Sequence, residues 1–164
     1  MAELLPVDTF DLLIFGGTGD LAMRKLLPAL YHRDRDGQFS PDSRIIAASR
    51  GAMSQEQYLA SVEAALRSKL PDDDFDDAQW SSFRNRLSYV QADAFQHDQW
   101  GAVVSSLAGH EDRVRVAYLA TAPNLFGPIA TGLKVNGLVT ENSRIVLEKP
   151  LGRDVVSARE INNA

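Results

Sequence analysis

Asp11-Leu-Leu-Ile-Phe15 is an apolar run that stops abruptly at Gly16-Gly17, and beyond Gly19-Asp20 the hydrophobic spacing changes. A short apolar run bounded by turn residues reads as a strand buried on both faces. Met23, Leu26, Leu27, Leu30 and Tyr31 then recur at three-and-four spacing, the mark of an amphipathic helix, which Gly37 stops. A strand with no polar face needs a covering layer on each side, and the rest of the chain supplies the elements for it. Arg44–Ser49, Leu87–Gln91, Val114–Leu119 and Arg144–Leu147 read as further strands.

Between them lie helical segments. Ser54 and Gln57 form a capping box ahead of Tyr58, Leu59, Val62, Ala65 and Leu66. Residues 72–86 read as a helix, as does the segment carrying Trp100, Val103, Val104 and Leu107. Pro123-Asn124 opens another, with Leu125, Phe126, Ile129 and Leu133 inward and Gly137 closing it. Val155, Val156, Ala158, Arg159 and Ile161 begin one more, inside which the sequence ends at Ala164, so residues 1–164 read as a fragment. Strands alternating with helices predict a doubly wound parallel α/β sheet of about five strands in one domain, with right-handed crossovers.

The turn after the first strand carries the first chemical signal. Gly16, Gly19 and Ala22 have the spacing G-x-x-G-x-x-A within Gly16-Gly17-Thr18-Gly19-Asp20-Leu21-Ala22, a variant of the dinucleotide fingerprint. Gly16 lets the chain turn tightly, a side chain at Gly19 would obstruct a pyrophosphate, and Ala22 lets the helix pack close to the sheet. The helix start then directs its N–H groups and positive dipole end at the phosphates.

The second strand ends in Ala47-Ala48-Ser49-Arg50, where an NAD-preferring site usually places an acid for the ribose hydroxyls. A guanidinium there makes paired, charge-assisted bonds to a 2′-phosphate, so NADP is the expected cofactor. Asp93-Ala94 is placed to approach the adenine end. Tyr118, Ala120 and Thr121 surround the end of another strand and either line the cofactor groove or serve as core and cap. Lys149, held extended by Pro150, either points to the nicotinamide side or is a surface lysine before a turn proline.

A net charge of −5 argues against a general nucleic-acid binder, and any bound anion must be held by local geometry. With no cysteine there is no disulfide, thiolate metal site or cysteine nucleophile, and a reducing, cytoplasmic setting is expected. No apolar stretch reaches the ~18 residues of a membrane span. His32, His97 and His110 lack metal-ligand spacing, are expected at the surface, and none is placed as a catalytic base. The acidic residues Asp72–Asp74, Asp76 and Asp77 read as a solvated loop and helix start.

Taken together, these motifs resemble the glucose-6-phosphate dehydrogenase family. The likeness runs from Gly16–Ala22 into Arg24–Tyr31, through the strand ending at Arg50 and Tyr118-Leu-Ala120, to Glu148-Lys-Pro-Leu-Gly152. It implies a Rossmann-like NADP-binding domain of an enzyme that oxidises glucose 6-phosphate to the lactone, entering the pentose phosphate pathway. It further implies that Gly16–Leu21 hold the pyrophosphate, Arg50 the 2′-phosphate, and that Lys149 touches both cofactor and sugar. The general-base histidine would lie in a β+α domain beyond this sequence, the fragment would be inactive alone, and the full-length parent would be a homo-oligomer. Ala122, where the family commonly has proline, and Leu151, often phenylalanine, are departures.

Two other enzyme classes share parts of this pattern. Sugar oxidoreductases of the glucose–fructose oxidoreductase type also carry a late Glu-Lys-Pro, but their turn lacks the Asp-Leu-Ala continuation. Short-chain dehydrogenases need Tyr and Lys four apart, and after Tyr31, Tyr58, Tyr89 and Tyr118 the fourth residue is Arg35, Val62, Asp93 and Ala122. A non-catalytic NADP-sensing module is the reading from a different class.

Overall fold

The computed structural model describes residues 6–147. Lys149 and the helix expected over 155–161 lie outside the described residues. Five parallel strands, β1 (Phe10–Phe15), β2 (Arg44–Ser49), β3 (Leu87–Gln91), β4 (Val114–Leu119) and β5 (Ser143–Leu147), lie side by side in the order β3-β2-β1-β4-β5. The chain winds outward from β1 in both directions, so the β1/β4 boundary is the point where the strand order reverses.

Helices cover both faces, as the apolar β1 requires. Alternate residues Leu12, Ile14, Ile45 and Ala47 pack under α1 (Leu27–Arg35), α2 (Gln55–Lys69) and α3 (Asp77–Phe83). The intervening Leu13, Phe15, Ile46 and Ala48 pack under α4 (Gly101–Leu107) and α5 (Phe126–Val135). All of β1 is buried. The α2 capping box forms as the sequence predicts, with the Gln57 amide donating to Ser54 Oγ and the Ser54 amide to Gln57 Oε1.

Two helices depart from expectation. The segment Ala22–Leu26 is wound as a π-helix before α1, with the Leu27 amide bonding the Ala22 carbonyl. Pro28 gives the reason: it has no N–H for the carbonyl four residues back, and its ring crowds that carbonyl, which a wider turn relieves. The helix expected over 72–86 starts at Asp77 and narrows to a 3-10 turn at Arg84–Arg86. Asp76 is extended and its side chain caps the Gln79 amide, so the acidic residues before it form turns. Tyr31, fully buried, accepts from the Asp76 amide at 3.0 Å and anchors that turn to α1.

Candidate functional site: a cleft across the strand ends

Gly16 leaves β1 at φ +77°, in the left-handed region that favours glycine. A Cβ there would also collide with the Ala120 carbonyl beyond β4. Gly17 lies against β2, where an added Cβ would meet that of Ala47 at 2.5 Å. The turn therefore fits only because two side chains are missing. Its first two amides, of Gly16 and Gly17, both donate to the Ala48 carbonyl, at 2.9 and 3.2 Å, so it hangs from β2. Around Gly19 only the Gly16 carbonyl comes near a built Cβ, at 3.2 Å. Thr18, Asp20 and Leu21 complete the turn, and exposed Asp20 pairs with Arg24 at 3.1 Å.

Beside this turn a cleft of about 250 Å³ opens across the carboxyl ends of the strands. Phe15 and Gly16 enter it from β1, Ala48, Ser49 and Arg50 from β2, and Asp93, Ala94 and Phe95 from the segment after β3. Thr121 closes it beyond β4, and Leu125 and Ile129 form its apolar wall. Of the residues singled out in the sequence, Gly16, Ser49, Arg50, Asp93, Ala94 and Thr121 are thus brought together. Ala120 takes part through its backbone: its amide donates to the Phe15 carbonyl at 2.9 Å.

Tyr118 does not line the cleft. Alternation along β4 puts it on the same face as Val114 and Val116, packed against the α1–α2 core, while Leu119 faces α4 and α5. The histidines need a correction too, since each is half-buried and His97 has a packing role. Its Nε2 bonds the Ala94 carbonyl at 2.7 Å, and its ring meets Trp100 edge-on at 5.6 Å. None of the three lines the cleft.

Two residues not read as site residues from the sequence stand out here. Phe95 is 66 % exposed on the cleft rim, an aromatic face open to a planar ligand. Trp100 is fully buried against Phe15, ring centroids 5.3 Å apart, and its indole N–H donates to the Asp93 carbonyl at 2.8 Å. Phe95 and Trp100 follow the Asp93-Ala94 pair at spacings of two and seven from Asp93, a weak signal because only the fold shows which ring is covered.

The cleft's polar groups are poorly matched internally. Among the described residues the Arg50 side chain meets no carboxylate. The buried Thr121 Oγ1 has no hydrogen-bond partner, though its neighbours are packed. Behind the site, burial pushes the Tyr58 phenol well above its usual pKa, with the nearby Tyr89 adding to it, so Tyr58 stays neutral. A glycine turn of this shape, an unpaired cation at the end of the second strand and an orphaned hydroxyl after the fourth fit a dinucleotide.

Fold and cleft define a dinucleotide-binding domain of the Rossmann type. The model of the family described as "Glucose-6-phosphate dehydrogenase, NAD binding domain" matches residues 13–164. The chain belongs to the glucose-6-phosphate dehydrogenase family. Glucose-6-phosphate 1-dehydrogenase of Mycolicibacterium smegmatis is 48% identical over 97% of this chain and 33% of its own length. The Rhizobium meliloti protein of that name is 44% identical over 99% of this chain and 33% of its own. The crystal structure of glucose-6-phosphate 1-dehydrogenase from Mycobacterium avium superposes with a TM-score of 0.84, at 31% identity, over 95% of this chain and 33% of that one. The chain thus spans about a third of the length of the curated relatives it matches. Among the described residues no helix is long and apolar enough to cross a membrane, and no group of acids and histidines could hold a metal ion.

Proposed function

We propose that the chain is the NADP-binding part of a glucose-6-phosphate 1-dehydrogenase, a soluble cytoplasmic enzyme acting on glucose 6-phosphate. The observation that carries this is Arg50, exposed without a carboxylate partner at the rim of a cleft that begins at the Gly16 turn. A guanidinium there favours a 2′-phosphate, which an acid would repel. Gly16–Leu21 hold the pyrophosphate, with Gly19 leaving it room. Asp93, Ala94 and Phe95 border the adenosine, Phe95 offering a ring to stack on. Thr121, with its unpartnered hydroxyl, and Ala120 lie toward the nicotinamide half, and Tyr118 supports them from the core.

A bound NADP would supply the acceptor for a hydride from the sugar. The chain's own residues hold the cofactor, keep Phe15 and Leu125 between it and the core, and supply Lys149 as a donor to the sugar's C1 hydroxyl. The histidine base belongs to the part of the enzyme outside residues 1–164, and the parent is a homo-oligomer through that part. Because the three histidines of the chain stand away from the cleft, residues 1–164 form no NADPH from glucose 6-phosphate unaided. A positioned base is worth about 10²–10⁴ in rate.

Titration of NADP and NAD against the chain tests the reading. NADP is expected to bind more tightly, and Arg50→Ala to weaken NADP by one to two decades while barely affecting NAD, about 1.5–3 kcal/mol for a charge-assisted contact. Equal affinities, or NADP binding unchanged in Arg50→Ala, would remove Arg50 from this role.

A further inference from the structure

We propose that Tyr89 is a positioning residue for cofactor discrimination: its hydroxyl, 40 residues from Ser49 in sequence, fixes the Ser49–Gly51 turn so that Arg50 leaves a preset backbone. The proposal rests on the reading of Arg50 as the 2′-phosphate ligand. Three consecutive carbonyls of this turn are held by β3 and the residue after it. The Ala92 amide donates to the Ser49 carbonyl at 2.8 Å, the Gln91 side-chain amide donates to the Arg50 carbonyl at 2.9 Å, and the Tyr89 hydroxyl donates to the Gly51 carbonyl. A trans peptide sets each N–H opposite the preceding carbonyl. Tying these carbonyls toward β3 therefore turns the amides of Arg50, Gly51 and Ala52 away from it.

The proton count assigns the hydroxyls. The Gly51 carbonyl can only accept, and a phenol has one proton. Tyr89 therefore donates to Gly51 and accepts from Ser49 Oγ, 2.7 Å away. The serine hydroxyl is thereby directed inward, and its lone pairs are what remain for a ligand. A phosphate takes donors, so Arg50 is the group of this pair that recognises it, and Ser49 acts through its place in the turn. Tyr89 is itself held, by its ring against Tyr58 at 5.5 Å and by its amide donating to Gln55 Oε1 at 3.0 Å. Preorganising the backbone lowers the ordering cost of binding at the one residue that tells the cofactors apart.

Tyr89→Phe keeps the ring and removes the hydroxyl. In titrations of the chain it is expected to weaken NADP about threefold to tenfold and NAD less than about twofold. In an Arg50→Ala background the same change is expected to move NADP less than about twofold, because the two positions act as one unit. A merely structural tyrosine would weaken both cofactors alike, or add its full effect in the Arg50→Ala background, and either result overturns the proposal. If Arg50→Ala weakens NADP and Tyr89→Phe does not, the positioning role fails while the clamp stands. If Arg50→Ala itself changes nothing, the clamp fails and takes the positioning role with it. Gln91→Leu, at an exposed position, unties the Arg50 carbonyl and is expected to show the same selective loss, which keeps the test open if Tyr89→Phe does not fold.

Discussion

The two ends of the parallel sheet treat their charges in opposite ways. At the amino end the arginines at the starts of β2, β3 and β4 are held by carboxylates or carbonyls, and of their buried nitrogens only Arg115 Nε lacks a partner. Arg44 grips fully buried Asp11 with two bonds of 2.9 Å, and Arg113 adds a third at 3.1 Å. Arg86 pairs with buried Asp34 at 3.0 Å and donates to the Ser40 and Ser43 carbonyls. Arg115, also buried, donates to the carbonyls of Leu107, the last residue of α4, and Leu138. At the carboxyl end Arg50 and the Thr121 hydroxyl are left unmatched by the described residues. Helix C-termini, with their orphan carbonyls and negative dipole ends, gather at the amino end of such a sheet, and Arg115 satisfies that of α4. What is left unmatched at the other end is available to a ligand. The amino end of the sheet is tied to the fold, and the carboxyl end is where the proposed cofactor site opens.

Substitutions at the two ends are ways to break that contrast. Asp11→Ala leaves two arginines facing a buried gap and is expected to cost about 3–5 kcal/mol in urea unfolding. A loss under about 1 kcal/mol would mean that the amino-end network is not what secures the sheet. Arg86→Ala strips buried Asp34 of its partner and is expected to cost about 2–4 kcal/mol, read the same way. Gly16→Ala is the exception at the carboxyl end. Its φ of +77° and the Ala120 carbonyl in the way are expected to cost about 2–3 kcal/mol and to abolish cofactor binding. Wild-type affinity in that variant would show that the turn tolerates a side chain. The smallest stability effect is expected from Arg50→Ala, within about 0.5 kcal/mol, although it should lose one to two decades of NADP affinity. A large drop in stability there would mean that Arg50 belongs to the fold as well.

The same contrast explains what could be read from the sequence. The strands β2, β3 and β4 fall where the sequence places them. For β2 the reason is that its central run Ile45–Ala48 is buried on both faces, whereas half-buried β3 and β4 were marked by their β-branched and aromatic residues despite Ser88 and Arg115. The Gly16 turn was legible because its chemistry is local. Asp11 was read as the first residue of an apolar run, and nothing nearby marks it as the centre of an ion network. Its partners stand 33 and 102 residues away and meet it only through the parallel register. Tyr89 escaped notice for the same reason, since its hydroxyl matters through a strand pairing that places it beside Ala47. The face of Tyr118 could have been read by counting alternate residues back from Leu119. The π-turn over Ala22–Leu26 was signalled by Pro28, which the helical spacing of the leucines concealed.

Trp100 gives the cleft an optical channel. The chain has two tryptophans, and Trp80 sits among α1 and α3 on the far face of the sheet. Trp100 lies under the cleft floor, its indole bonded to the Asp93 carbonyl and its ring against Phe15. In a Trp80→Phe background the remaining emission would come from a buried indole one hydrogen bond away from Asp93 on the cleft rim. A ligand that shifts the Asp93 segment would then change the colour and lifetime of that emission, whereas one bound elsewhere would leave both alone. Any such shift on occupancy would be read in the protein's own fluorescence, without a label and without catalysis.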